Sequence, residues 1–301
     1  MLFRSLMGGA PSRAKIAAFL SEHPDLATDP LDVIVKSGDQ RKMPGIKNHV
    51  RSKELPDRSF YKLDDELYVA SPELCLAQLS VKLSEPEIVK LAYEMCGNYA
   101  IDPFADPYDK EAEGFGKRPA LTNKKQLIAY IERLYSPGTR ARGHHFLRYI
   151  ADASASPRET ALCMLLCMPP YLGGYGIAIP VMNKRITLSF SEQLMVGIHH
   201  FDCDLYWPDK RVAVEYDCAR YHTAVEKQEC DAIRRNMLQY KGLKVITATR
   251  KQVSDPAQFD KLAHQIARAV GKRLRIPEKE HIAARSQLRE TLFNWDLLSG
   301  E

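Results

Sequence analysis

The chain has 301 residues, of which 45% are hydrophobic and 27% charged, a composition typical of a folded globular protein and unlike that of a disordered one. Lys and Arg exceed Asp and Glu by 43 to 38, a mild excess that allows a nucleic-acid partner without requiring one. No stretch approaches the roughly 18 consecutive apolar residues of a membrane-spanning helix, so we expect no membrane segment.

The cysteines and the N-terminal residues bear on the compartment. The seven cysteines are scattered and lack CxxC spacing, which argues against structural zinc and favours reduced thiols. Residues 1–15, MLFRSLMGGAPSRAK, lack the apolar stretch of a secretory signal. We therefore expect a cytoplasmic protein.

In the first half of the chain, hydrophobic periodicity and capping residues predict a mixture of helices and short strands. The expected elements are, in chain order, a helix at 12–24, a strand at 31–37, a hairpin within 58–70, helices that start after Ser71 and Ser84, a loop over 101–121, and helices at 123–135 and 143–153.

In the second half, strands become more frequent and alternate with long amphipathic helices. The expected elements are a helix that starts after Ser156, strands within 177–190, 199–209 and 211–217, a helix at 225–242, a strand at 244–250, and helices at 255–275 and 277–298.

The change in pattern divides the chain near residue 155. We expect residues 1–155 to form a mostly helical α+β domain. Residues 156–301 run helix, three strands, helix, strand, helix, which predicts an α/β domain.

Four acidic residues lie on the two strands around the sequence WPDK. Because side chains alternate along a strand, Glu215 and Asp217 share one face of their strand, as do Asp202 and Asp204 on the preceding one. If the two strands pair, acids from both converge. Crowded carboxylates repel each other in a poorly solvated site, and a divalent cation that prefers oxygen ligands, Mg²⁺ or Mn²⁺, relieves that repulsion.

The stretch DLYWPDKRVAVEYD, residues 204–217, resembles the core of the PD-(D/E)XK nuclease superfamily, in which an acid on one strand precedes an acidic pair on the next. Within that superfamily, residues 156–270 are similar to very-short-patch-repair endonucleases. The matching positions are Asp204, Pro208, Glu215, Asp217, His222, Asp231, Arg234, Leu238, Gly242 and Val245.

This resemblance implies a restriction-endonuclease-like core, in which helices flank a mixed four-stranded sheet. It also implies Mg²⁺- or Mn²⁺-dependent hydrolysis of DNA phosphodiester bonds. The implied metal ligands are Asp204 and Glu215, together with Glu159 from the preceding helix. Asp217 and His222 complete the implied catalytic set, with His222 as the group that transfers a proton.

The sequence departs from the superfamily pattern at two positions. Cys218 replaces a glycine, and Asp217 stands where the superfamily has its lysine. The short-patch-repair relatives also lack this lysine and use histidine, so His222 fits their chemistry. Glu159 has a second interpretation, because it also forms a capping box with Ser156.

The N-terminal half resembles, more loosely, AbiEi-type antitoxin-like proteins over residues 49–79, which implies a DNA- or partner-binding module. Basic clusters at 41–53, 138–145 and 271–275 fit contacts to a phosphate backbone. The single residues that we expect to contact nucleic acid are Lys210, Arg220 and Arg234.

Three functions follow as expectations. The first is a metal-dependent DNA endonuclease in phage defence, a toxin–antitoxin setting or repair, with RNA as an open alternative substrate. The second is a non-catalytic DNA-binding regulator that uses the nuclease fold as a scaffold. The third is a subunit that acts with a protein partner or as a homodimer, docked through apolar residues of the C-terminal helix.

Overall fold

The computed structural model of the chain groups into two compact units, residues 1–84 with 125–145 and residues 85–124 with 146–301. The boundary expected near residue 155 stays a prediction. None of the described helices is long and apolar enough to cross a membrane. The described residues are 4–5, 18, 21–22, 31–36, 46–51, 54–62, 68–102, 114–217, 233, 236–275 and 278–293.

The described strands and helices have the following bounds. The strands are β1 Arg4–Ser5, β2 Leu31–Lys36, β3 Ile46–Arg51, β4 Phe60–Lys62, β5 Tyr68–Ala70, β6 Tyr99–Ile101, β7 Phe115–Lys117, β8 Val181–Thr187, β9 His200–Trp207, β10 Val212–Asp217 and β11 Lys244–Thr249. The helices are α1 Pro72–Leu79, α2 Glu85–Cys96, α3 Lys124–Glu132, α4 Pro137–Leu147, α5 Pro157–Cys167, α6 Phe190–Val196, α7 Arg250–Ser254, α8 Pro256–Ala269 and α9 Glu278–Phe293.

The first unit contains a five-stranded sheet in the order β3-β2-β1-β5-β4. Strands β1, β2 and β3 are parallel, whereas β5 is antiparallel to β1 and β4. Ser71 caps α1 as its sequence predicts, because its hydroxyl accepts the Leu74 amide at 3.2 Å. A buried hydrogen bond of 2.7 Å between the hydroxyls of Ser59 and Tyr130 ties the start of β4 to α3.

The second unit contains a mixed four-stranded sheet in the order β11-β10-β9-β8. Strands β8, β9 and β10 form an antiparallel meander, and β11 lies parallel to β10. Helix α5 packs on β9 and β10, and α8 packs on β11. The predicted four-stranded mixed sheet flanked by helices is therefore confirmed.

The core of this unit explains the sequence pattern of its elements. Every residue of α5 except Arg158 is buried, so almost none of this helix faces water. Strand β9 alternates between half-buried and buried residues along its whole length, which is the period of two that its sequence predicts. In β10, Val212, Ala213 and Val214 are all buried, as expected for a central strand.

Some predicted elements need correction. The expected loop over 101–121 contains β7, which pairs with β6, and Phe115 packs edge-on against Tyr99 with the ring centroids 6.2 Å apart. The helix expected at 143–153 runs instead from Pro137 to Leu147 as α4. Pro137 fits there because proline suits the first turn of a helix. The helix expected at 255–275 ends at Ala269, and α6, which begins after a capping box at Ser189, was not expected.

Candidate functional site

The two carboxylates expected to bind metal lie where β9 and β10 diverge. The last pair between these strands among the described residues is Leu205 with Val214. One step further in the same register puts Asp204 opposite Glu215. Strand β10 nevertheless stays paired with β11 as far as Asp217. We call this point of divergence, with its residues Asp204 and Glu215, the fork.

At the fork, a side chain accepts a backbone N–H of β10 beyond the last described residue pair between β9 and β10. One carboxylate oxygen of Asp204 accepts the backbone N–H of Tyr216 at 2.7 Å. The neighbours Cys203 and Leu205 have no exposed surface, whereas Asp204 is half-buried, so Asp204 lies on the opposite face of β9. The Tyr216 amide therefore fixes the direction of this carboxylate.

Glu215 brings a second carboxylate to the same place. It is half-buried and follows the fully buried Val214, and its Oε1 atom has no accessible surface. Taking an ionised carboxylate out of water is costly unless cations or hydrogen-bond donors compensate. Glu215 thus places a second, partly desolvated carboxylate on the strand next to Asp204.

Other expected site residues lie wholly or partly outside the described part of the chain. The backbone of Asp217 ends β10, but its side chain is not among those described. His222, Arg220 and Arg234 lie outside the described residues altogether. Their expected roles stay predictions.

Glu159 acts as a capping residue at the start of α5. Its Oε1 accepts the Ser156 hydroxyl at 2.9 Å, and its Oε2 accepts the Ala155 amide at 3.0 Å. In return, the Glu159 amide donates to the Ser156 hydroxyl at 3.2 Å. Ser156 thus caps α5 as the sequence predicts, but the Glu159 carboxylate accepts the Ser156 hydroxyl and the Ala155 amide, where a full capping box would use the Ser156 amide. The metal-binding role of Glu159 stays a prediction.

Asn183 is a residue of this region that the sequence reasoning missed. Its side-chain amide donates to Glu159 Oε2 at 2.5 Å and to the Ala153 carbonyl at 2.9 Å. The register of β8 with β9 on either side of it puts Asn183 opposite Asp204. Asn183 thereby links the start of α5 to the strand next to the fork. The low strand propensity of asparagine is the signal in the sequence that distinguishes this position. In the structure its backbone is left-handed, with φ of 46°.

Burial raises the pKa of the Glu159 carboxyl, and hydrogen bonds from Ala155, Asn183 and Ser156 oppose that rise. Because the folded-state pKa is raised, the contribution of Glu159 to stability is greatest below its ordinary pKa of about 4.3. That contribution declines as the pH rises through the folded-state value.

We expect Glu159→Gln to fold as well as the wild type, because glutamine can accept the Ala155 amide with its oxygen and donate to the Ser156 hydroxyl with its nitrogen. Glutamine does not titrate, so the stability of the variant relative to the wild type should rise as the pH rises from the ordinary glutamate pKa through the raised folded-state value. Urea unfolding across this range measures the difference. Ser156→Ala, which removes the cap, should cost about 1 kcal/mol. Equal losses for both variants at neutral pH would contradict the capping role.

Asp202 belongs to a surface ion pair. Arg185 binds both of its oxygens, with Nε at 2.9 Å and Nη2 at 3.1 Å, and both side chains are exposed. The His200 ring lies 3.7 Å from the same carboxylate. Asp202 therefore shares the face of Asp204 on β9 but has its own cation.

Lys210 lies at the opposite end of the sheet from the fork. It ends the single 3₁₀ turn Pro208–Lys210 that joins β9 to β10, and it is exposed. An exposed lysine of this kind is suited to a phosphate contact, but not to one at the fork.

The two described carboxylates fit a magnesium ion by their chemistry. Magnesium prefers oxygen ligands and is commonly held by one or two protein carboxylates, with waters and substrate phosphates filling its other positions. Within the described residues, no group of three or more His, Cys, Asp or Glu side chains is arranged to hold a metal ion. Two carboxylates of this kind supply part of the ligand set of such an ion.

Comparison with known proteins gave no relative. No protein-family model, no curated protein and no solved structure matched the chain.

Proposed function

We propose that this protein is a metal-dependent endonuclease that hydrolyses phosphodiester bonds of DNA. The observation that carries the proposal is the fork, where Asp204 and Glu215 lie on adjacent strands at the point where those strands separate. In open α/β sheets, ligands bind beside the carboxyl ends of parallel strands. Glu215 lies near that end of β10, next to its parallel neighbour β11.

Asp204 and Glu215 would hold the cation in this mechanism. When bound, Mg²⁺ or Mn²⁺ polarises the scissile phosphate and makes a water molecule acidic enough to attack near neutral pH. The Tyr216 amide keeps Asp204 in one orientation, which lowers the cost of arranging the site. His222 would accept a proton from the attacking water or give one to the leaving oxygen. Asp217 and Glu159 would help Asp204 and Glu215 to hold the metal, directly or through a water molecule.

The direct test is nucleic-acid cleavage by the purified protein with Mg²⁺, with Mn²⁺ and with EDTA. Supercoiled plasmid, single-stranded DNA and RNA serve as substrates, and Asp204→Ala serves as the inactive reference. We expect metal-dependent nicking or cutting by the wild type alone. The proposal fails if the wild type cuts none of these substrates, or if Asp204→Ala cuts as fast.

The non-catalytic regulator has a distinct outcome in the same experiments. It predicts sequence-selective DNA binding that Glu215→Ala leaves unchanged, together with no cleavage under any metal condition. The docking role expected for the C-terminal helix has less support, because Leu288 and Leu292 of α9 are buried within their own unit.

A further inference from the structure

A group of exposed cations surrounds the end of the sheet opposite the fork. This end comprises the turn between β9 and β10, the first residue of β11 and the segment that follows α8. Its cations, which we call the basic surface, are Lys210, Arg211, Lys244, Lys272, Arg273 and Arg275, and all six are exposed.

Contacts join these residues into one surface. The Lys244 amide donates to the Arg211 carbonyl at 2.8 Å, so β11 begins beside the turn. A Cβ atom added to Gly271 would lie 3.7 Å from the Lys210 ammonium, which brings residues 271–275 to the same place. Three segments that are far apart in sequence thus contribute cations to one end of the sheet.

Carbonyl oxygens hold two of these cations. The Arg211 guanidinium donates to the carbonyl of Gly242 at 3.3 Å and also to that of Lys241. The Lys272 ammonium donates to the carbonyl of Gly176. A carbonyl oxygen orients a cation but carries no net charge, so these contacts position the two side chains without adding a negative charge beside them.

Within the described residues, carboxylates do not form ion pairs with the cations of the basic surface. In the described part of the chain, none of its six cations forms an ion pair, in contrast to Lys241, which binds Glu192 at 2.9 Å. The turn itself contributes one exposed carboxylate, Asp209. An excess of like charge costs free energy in the isolated protein, and a polyanion removes that cost.

We infer that the basic surface binds the phosphate backbone of a nucleic acid at a site separate from the fork. Several exposed cations that form no ion pairs within the described residues fit backbone contacts that do not depend on sequence. The segments 208–211 and 271–275 expose no large apolar side chain, whereas a helix or loop that lies on a membrane normally inserts one.

The spacing allows one nucleic acid to reach both places. Residues along β10 rise about 3.3 Å each, so the level of Glu215 lies about 10 Å from that of Val212. The basic surface would then hold the backbone while the fork faces a nearby phosphate. Backbone binding itself does not depend on whether the fork cleaves.

The test measures binding without cleavage. A labelled 30-base-pair duplex is titrated in EDTA with the full chain carrying Asp204→Asn, at several salt concentrations between 50 and 200 mM. The added triple variant Lys210→Ala, Lys244→Ala, Arg273→Ala spares the two cations that hold carbonyls, so we expect it to fold. We expect the slope of log affinity against log salt to fall by about 2 to 3, because each lost phosphate contact contributes about 0.9.

A matched triple variant controls for net charge. Arg148→Ala, Lys251→Ala and Lys261→Ala remove three exposed cations elsewhere in the same unit, and we expect the slope to change by less than 1. The inference would be overturned if both triple variants changed the slope equally. It would also be overturned if neither the labelled duplex nor single-stranded RNA bound at 50 mM salt. Binding to anionic lipid vesicles or polyglutamate without binding to nucleic acid would overturn it as well. Failure of the cleavage assay alone removes the proposed function and leaves this binding result intact.

Discussion

Asp204→Asn should lower the rate of metal-dependent plasmid cleavage by about a thousandfold while leaving the fold intact. Removing one charged ligand from a magnesium site weakens stabilisation of the reacting phosphate by several kcal/mol, and about 4 kcal/mol corresponds to a factor of a thousand. The asparagine oxygen still accepts the Tyr216 amide, so the hydrogen bond at the fork remains. Cleavage rates and urea unfolding of the same preparations measure both quantities.

Two further variants separate the chemical role of Asp204 from its structural role. Asp204→Ala also removes the acceptor of the Tyr216 amide, and a buried amide without a partner costs about 1 to 3 kcal/mol. Asp202→Asn changes the same residue type two positions earlier on the same strand, where Arg185 already neutralises it. The Asp202→Asn substitution should change the cleavage rate less than threefold and the free energy of unfolding by less than about 1 kcal/mol. Comparable losses of activity for Asp202→Asn and Asp204→Asn would contradict a specific role for the fork.

The sequence predicted the central strands well because their residues obey simple burial rules. Strand β9 alternates strictly, and the run of Val212, Ala213 and Val214 requires a position between two other strands. Asp204 and Glu215 stood out in the sequence for the same reason, because an acidic residue interrupts the apolar pattern of each strand. What alternation alone cannot give is the register, and hence the position of Asp204 opposite Glu215.

Elements and contacts that depend on tertiary structure were not predictable in this way. Strand β3 consists mainly of polar residues, because it forms the edge of its sheet and has a partner on one side only. The link from Asn183 to Glu159 joins two residues 24 apart in sequence and exists only after β8 has packed beside α5. Capping explained Glu159 from sequence, but no local rule indicated that an asparagine on a strand would bind it.

Gly173→Ala should strongly destabilise the second unit. Gly173 follows the 3₁₀ turn Pro170–Leu172 with φ of 89°, a conformation that costs a residue with a side chain about 1 to 2 kcal/mol. An added Cβ would also lie 2.6 Å from the carbonyl carbon of Ala284 and 2.7 Å from the Cα of Arg285, both in the backbone of α9. A backbone cannot rotate away as a side chain can, so α9 must move.

The expected loss for Gly173→Ala is therefore about 3 kcal/mol or more, since strain and overpacking add. Gly197→Ala is the matched control, because Gly197 ends α6 with φ of 74° and has open space around its Cβ position. It should lose only the backbone strain, about 1 to 2 kcal/mol. Thermal unfolding then separates the two, at about 2 to 4 °C per kcal/mol for a domain of this size. Equal shifts in the two variants would mean that α9 does not lie against the segment after α5.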